Sequence, residues 1–203
     1  MQSLQCNLVR SHAVGIGEPI HPDFVLASML VRLNTLVKGY SGVSPQLIER
    51  LNLFINRRII PIVPEHGAVG TSGDLVQLAH IALALIGEGE VLYKGIRQPT
   101  ADVLKKLGIP IVYELQPKEG LSLINGTSVM AGIASLVTGR ARRLLSLAVR
   151  SGALALELVQ AFDDSIAAEL HALRPHQGQV AVAAALRNLV ASSHLMRRRS
   201  SLQ

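Results

Sequence analysis

Between Gly67 and Gly73 three glycines fall within seven residues, Gly67-Ala68-Val69-Gly70-Thr71-Ser72-Gly73, and Asp74-Leu75 follow as a helix start. Glycine reaches backbone conformations that a Cβ obstructs. The chain therefore has to make a tight turn here, and a strained turn persists only where the surrounding fold enforces it. Residues held this closely can react with one another. The Gly73 amide nitrogen can attack the Thr71 carbonyl carbon and close a five-membered ring. Loss of the carbonyl oxygen as water gives an imidazolone, and dehydration of Ser72 leaves an exocyclic methylidene. That group is an electrophile, which no ordinary side chain supplies. The positive end of a helix after Asp74 would stabilise negative charge arriving on the ring. Read locally, the same stretch is also simply a turn before a helix. It is not a hydrolase elbow, because Asp74 stands where the last glycine of Gly-x-Ser-x-Gly belongs. It is not a phosphate-binding loop, because no lysine follows the glycines in the required place.

The surrounding residues resemble a known signature. Pro64-Glu65-His66-Gly67-Ala68-Val69-Gly70-Thr71-Ser72-Gly73-Asp74-Leu75, with Leu78-Ala79-His80 following, is similar to that of the histidine and aromatic amino acid ammonia-lyases, the methylidene-imidazolone enzymes. Three other segments agree with that family in order and spacing. Leu4-Gln5-Cys6-Asn7-Leu8-Val9-Arg10-Ser11-His12 leads into Gly15-Ile16-Gly17-Glu18-Pro19. Glu119-Gly120-Leu121-Ser122-Leu123-Ile124-Asn125-Gly126-Thr127 resembles its Asn-Gly-Thr segment, and Leu173-Arg174-Pro175-His176-Gln177-Gly178-Gln179 its Arg-Pro-His-x-Gly-Gln segment. The resemblance runs from about Leu4 to Arg187.

It implies an ammonia-lyase that eliminates ammonia from an L-amino acid, histidine or an aromatic one, to give an α,β-unsaturated acid. The electrophile would form autocatalytically from Thr71, Ser72 and Gly73, with no external cofactor. Asn125 would be catalytic, hydrogen-bonding the substrate opposite the prosthetic group. Ser11, His12 and Leu75 would bind substrate, with Ser11-His12 at the position that discriminates between substrate side chains. A histidine there resembles the histidine and tyrosine lyases more than the phenylalanine ones. Neutral imidazole can donate to or accept from a polar ring. Whether the substrate's amine or its ring meets the electrophile stays open, as does lyase against aminomutase.

The chain departs from the family at two points. Alanine usually stands where this chain has Thr71. Ring closure uses only the backbone carbonyl of that residue, although β-branching makes it stiffer. Family chains are also more than twice as long. The resemblance begins after their tyrosine-bearing loop and ends before the glutamine, tyrosine, arginine and late glutamate that complete the site. The expectation is thus a single partial domain over 1–203, the central part of an ammonia-lyase, with little or no activity by itself. Tyr40, Tyr93 and Tyr113 do not match the family's base. The alternative is a truncated, non-catalytic helical oligomerisation fragment of the same family.

Apolar residues make up 49% of the chain, with three Phe, three Tyr and no Trp, so the apolar mass is Leu, Ala, Val and Ile. That suits helix-on-helix packing, and its surplus points to a homo-oligomer with buried subunit contacts. A single cysteine, Cys6, excludes an internal disulfide framework and fits a reducing cytoplasm. No secretory signal is visible from Met1 to Glu18. The uncharged run from Gly120 to Gly139 has the length of a membrane span, but Ser122, Asn125, Gly126, Thr127, Ser128 and Ser135 interrupt it. It reads as a buried helix in an oligomer core, with no membrane. The net charge of +6 gathers at Arg140, Arg142, Arg143 and at Arg197-Arg198-Arg199. Neither cluster carries interleaved aromatics, so both read as solvated surface and no nucleic acid is expected. His66, His80, His171 and His176 lack a metal-binding spacing, so no metal is expected. Arg174-Pro175-His176 reads as structural or interfacial.

The fold class predicted is all-α: a long-helix bundle with a short β hairpin near the active-site loop. Asp23 is the cap candidate for a helix whose apolar positions are Phe24, Leu26, Met29, Leu30, Leu33, Leu36 and Val37. Ser44-Pro45 starts another, ending near Arg57. Asp74 is positioned to cap Leu75 to Ile86, and Thr100 to cap a short helix to Leu107. Glu90 to Gly95 reads as a strand or hairpin arm. A long helix runs from about Thr127 towards Gln160, with Gly139 and Gly152 as candidate kinks. Shorter ones cover Ser165 to Leu173 and Gln179 to about Ala191.

Overall fold

The computed structural model describes residues 2–198. Helix dominates, and the chain divides into two compact units, one ending at Val137 and the other starting at Thr138. The first contains α1 (Gln2–His12), β1 (Ile16–Pro19), α2 (Pro22–Leu36), α3 (Pro45–Asn56), β2 (Ile60–Pro61), β3 (Pro64–His66) and α4 (Leu75–Leu85). It continues through β4 (Glu90–Tyr93), β5 (Ile96–Pro99), α5 (Thr100–Lys106), α6 (Glu119–Ile124) and the start of α7 (Ser128–Leu158). Its core is α4, whose Leu78, Ala79, Ile81, Ala82, Ala84 and Leu85 are buried against Met29, Leu36, Leu47, Leu51 and Phe54.

The expected hairpin is β4–β5. Tyr93 pairs with Ile96, and Lys94 and Gly95 both take positive φ, 51° and 79°, as a two-residue antiparallel turn requires. β2 adds to β4, making three antiparallel strands. A second antiparallel ribbon joins β1 to β3, with Ile16 opposite His66 and Pro19 opposite Pro64. It ties the end of α1 to the strand that enters the glycine-rich turn.

Ser44 caps α3 as expected, its hydroxyl accepting from the Leu47 amide at 3.3 Å with Pro45 opening the helix. The α2 cap differs from expectation. His21 is the cap, its Nδ1 accepting from the Asp23 amide at 3.2 Å, because Pro22 opens the helix and leaves Asp23 inside the first turn. The inward face of α2 differs too. Val25, Ser28, Met29, Arg32 and Leu36 are buried, whereas Leu30 and Val37 are more than half exposed. The helix is turned so that its backbone at Ser28 meets α7. A Cβ on Gly132 would lie 2.6 Å from the Ser28 nitrogen, so only glycine permits this approach. Thr100 does not cap α5 with its side chain. Pro99 holds the cap position, and the Thr100 hydroxyl donates to the Gly89 carbonyl at 3.1 Å.

In the second unit α7 continues unbroken through Gly139 and Gly152 to Leu158. A 3-10 turn (Asp163–Ile166), α8 (Ala168–Ala172) and α9 (Gln177–Leu189) follow. The single helix expected from Ser165 to Leu173 is therefore split at Ala167, which is extended. The Arg187 guanidinium donates to the Ile166 carbonyl at 2.5 Å, diverting that acceptor from a helical bond. The core of this unit is small: Ala153, Ile166 and Val190, with Leu156, Leu186 and Met196 packed against them. The stretch Glu119–Leu158 is long and apolar enough to cross a bilayer by length and composition only, and Asn125 to Thr127 break it between α6 and α7.

Candidate functional site

Two turns of the first unit meet. One is Thr71-Ser72-Gly73-Asp74, leading into α4; the other is Asn125-Gly126-Thr127, between α6 and α7. The Asp74 amide donates to the Gly126 carbonyl oxygen at 2.7 Å. Gly73 takes φ +98°, and a Cβ there would stand 2.6 Å from the same oxygen. Position 73 thus excludes a side chain on both conformational and steric grounds. In return the Asp74 carboxylate accepts from the amides of Val129 and Met130, both at 2.9 Å. These are first-turn amides of α7, which have no partner inside their own helix.

Asp74 was expected to cap α4. It occupies the cap position, but its side chain makes no bond to that helix and holds the start of α7 instead. It is 8% exposed, so the carboxylate is satisfied by these amides in a largely dry site. Asp74 and α7 together fasten the glycine-rich turn to the Asn125 turn.

Thr71 and Ser72 are exposed, and so is Asn125. The Thr71 amide turns back onto the Val69 carbonyl at 2.6 Å, which tightens the loop just before Ser72. Leu75 is half-buried at the first position of α4 and packs against the main core. A cavity of about 470 Å³ adjoins the second turn, lined by Arg32, Lys118, Asn125, Gly126, Thr127 and Ser128 among others. Thr71, Ser72 and Gly73 do not line it, so it flanks the site without reaching Ser72.

Ser11 and His12 end α1, and their hydrogen bonds stay within that helix. The Ser11 hydroxyl donates to the Leu8 carbonyl at 2.9 Å, and His12 Nδ1 lies 2.9 Å from the same oxygen. A carbonyl only accepts, so this places the proton on Nδ1 and leaves His12 Nε2 as an acceptor. The end of α1 reaches the glycine-rich turn indirectly. The Gly15 amide donates to His80 Nε2 at 3.1 Å, and a Cβ on Gly67 would come 3.3 Å from the Gly15 Cα. His80 therefore carries its proton on Nδ1, and burial pushes it below its ordinary value.

Sequence reasoning passed over Arg32. Its guanidinium donates to the Ser122 carbonyl and, at 2.6 Å, to the Asn125 carbonyl. The signal was present: Arg32 is the one charged residue on a buried stripe with Val25, Ser28, Met29 and Leu36. Among the described residues no group of three or more His, Cys, Asp or Glu side chains is placed to hold a metal.

A glycine turn locked against an Asn-Gly turn inside a helical unit is set among residues that match an aromatic amino acid lyase. The chain belongs to that family, whose model matches residues 1–203. It is 48% identical over 198 residues to a histidine ammonia-lyase of Geobacillus kaustophilus (strain HTA426), covering 98% of this chain and 39% of the relative. It is 46% identical over 197 residues to a tyrosine 2,3-aminomutase of Myxococcus fulvus, covering 96% and 37%. The crystal structure of a tyrosine aminomutase from Streptomyces globisporus superposes with a TM-score of 0.92 at 45% identity, covering 98% of this chain and 38% of that one. The chain thus spans about two fifths of the length of these relatives.

Proposed function

We propose that this chain carries the electrophilic core of an ammonia-lyase site for histidine or an aromatic L-amino acid, with Thr71, Ser72 and Gly73 forming a methylidene-imidazolone. The observation that carries the reading is the Gly73–Gly126 approach. Ring closure needs residue 73 without a Cβ, in an unusual backbone conformation and held against movement. Gly73 at φ +98°, with the neighbouring Asp74 amide anchored on Gly126, meets all three requirements. The turn thus fits the group.

The methylidene-imidazolone supplies an electrophile for the substrate's amine or ring. The other residues of the site bind and orient. Exposed Asn125 offers an amide to hydrogen-bond substrate. His12 Nε2 stands ready to accept from a polar side chain such as an imidazole N–H or a phenol, and Ser11 fixes the orientation of that ring. Removal of a β-proton requires a positioned base, and Tyr40, Tyr93 and Tyr113 are not assigned that task. Tyr113, for example, is turned towards Ser44 and Glu119.

The second half of the reading is assembly. Met130, Val137 and Leu144 of α7 are spaced by seven, as are Leu147 and Leu154, and these five residues and Leu158 are each about half exposed or more. A heptad stripe of this kind is a helix–helix seam. It supports a homo-oligomer acting on a small amino acid, in the reducing cytoplasm that suits an unpaired Cys6.

The test is intact mass of the folded chain. A mass lower by two waters, abolished by Ser72→Ala, supports the electrophile. An unmodified mass favours the non-catalytic helical, oligomer-forming reading, which the exposed α7 stripe accommodates equally well.

A further inference from the structure

Arg32 poses a physical question that catalysis does not answer. It is 6% exposed. Among the described residues it joins no ion pair. A buried guanidinium without a carboxylate bears its desolvation unrelieved unless hydrogen bonds compensate. Burial accordingly pushes Arg32 below its ordinary value. Its Nε has no partner. What it does have are the carbonyl oxygens of Ser122 and Asn125, at the end of α6.

Those oxygens are terminal acceptors that α6 cannot satisfy itself. By holding them, Arg32 lets α6 stop at Ile124, so that Asn125 leaves the helix in an extended conformation, φ −92° and ψ 112°. The next residue is shaped by the same group: a Cβ on Gly126 would collide with the Arg32 guanidinium. Gly126 therefore lies between Arg32 on one side and Gly73-Asp74 on the other. The contacts form one chain: Arg32 to Asn125, Asn125 to Gly126, Gly126 oxygen to the Asp74 amide at 2.7 Å, and Asp74 to the reacting turn.

We infer that Arg32 is a positioning residue for the reacting turn: it fixes the Asn125-Gly126 turn and, through the Gly126 carbonyl, the backbone of Thr71-Ser72-Gly73. The importance of this for ring closure rests on the lyase reading; the positioning itself does not. Lysine would keep the charge but not the planar fork that spans two carbonyls.

The experiment compares the full chain with Arg32→Lys and Gly126→Ala, the second pushing the guanidinium off its carbonyls without removing its charge. Amide hydrogen exchange is read at Asp74 and Val129, with Ile81 in the middle of α4 as the reference, alongside intact mass. Exchange at Asp74 faster by about tenfold or more with Ile81 unchanged supports the inference, as does a smaller fraction that has lost two waters. Unchanged Asp74 exchange in a folded variant overturns it. Equal acceleration at Asp74 and Ile81 also overturns it, since Arg32 would then be only a general stabiliser. If Arg32→Lys does not fold, Gly126→Ala decides by the same comparison, and failure of both to fold counts against positioning. A wild-type mass without water loss sinks the lyase reading alone, and the exchange comparison still decides the role of Arg32.

Discussion

Asp74 and Gly126 are joined backbone to backbone: the Asp74 amide donates to the Gly126 carbonyl at 2.7 Å, while the Asp74 carboxylate, 8% exposed, takes the first free amides of α7. One residue thus fastens the glycine-rich turn to the Asn125-Gly126 turn in both directions.

Removing the Asp74 side chain takes the acceptor from the buried Val129 amide and from the part-buried Met130 amide. Asp74→Ala should destabilise the chain by about 1–3 kcal/mol, read as a lower denaturant midpoint at unchanged slope. Asp74→Asn retains an acceptor oxygen and should lose less. Equal stability of Asp74→Ala and wild type would contradict the capping role.

Ser72 and Gly73 should separate chemistry from folding. Ser72 is exposed, so Ser72→Ala should change stability by no more than about 0.5 kcal/mol while abolishing the loss of two waters. Gly73→Ala puts a Cβ 2.6 Å from the Gly126 oxygen at φ +98°, and should cost about 1–3 kcal/mol besides abolishing that loss. Intact mass and thermal melts measure both. A Gly73→Ala protein as stable as wild type would show that the turn is looser than described.

His80 links stability to pH. Its folded value is lowered by burial, so the folded state binds fewer protons than the unfolded one below about pH 6.5, the ordinary imidazole value. Its contribution is complete above that pH and is lost as pH falls towards the folded value, when the proton also displaces the Gly15 amide from Nε2. The melting temperature should drop between pH 7.5 and 5.5, and less so in His80→Gln, which keeps an acceptor that does not titrate. Identical pH profiles would remove His80 from this role.

The α7 seam should drive association. Light scattering on dilute protein should give a multimer, and Leu147→Glu, on an exposed position of the stripe, should shift it to smaller species while leaving the helix content intact. A stable monomer in the wild type would contradict the assembly.

Much was legible because it depends on local rules. Ser44-Pro45 declared a helix start, Glu90 to Gly95 read as a strand or hairpin arm, and the glycines around Ser72 marked a tight loop. What was missed turns on contacts from afar. The face of α2 was read from its leucines, yet α7 crossing at Gly132 turned Ser28 and Arg32 inward and left Leu30 outside. The segment from Leu4 to His12 was read as a motif and not as a helix, because it lacks a clear apolar stripe: between Leu4 and His12 only Val9 is fully buried.

The sequence by itself determined the family, the helical class and the tight turn around Ser72, because turn-forming and helix-forming capacity belong to residue types and their order. Tertiary structure alone decided what holds those residues in place. Asp74 looks like the cap of its own helix until α7 arrives with free amides 55 residues later in the chain. Arg32 has no partner legible along the chain until the end of α6 brings two carbonyls to it. A buried hydrogen-bonding group takes whichever partner the fold delivers, and spacing along the chain does not say which one that will be.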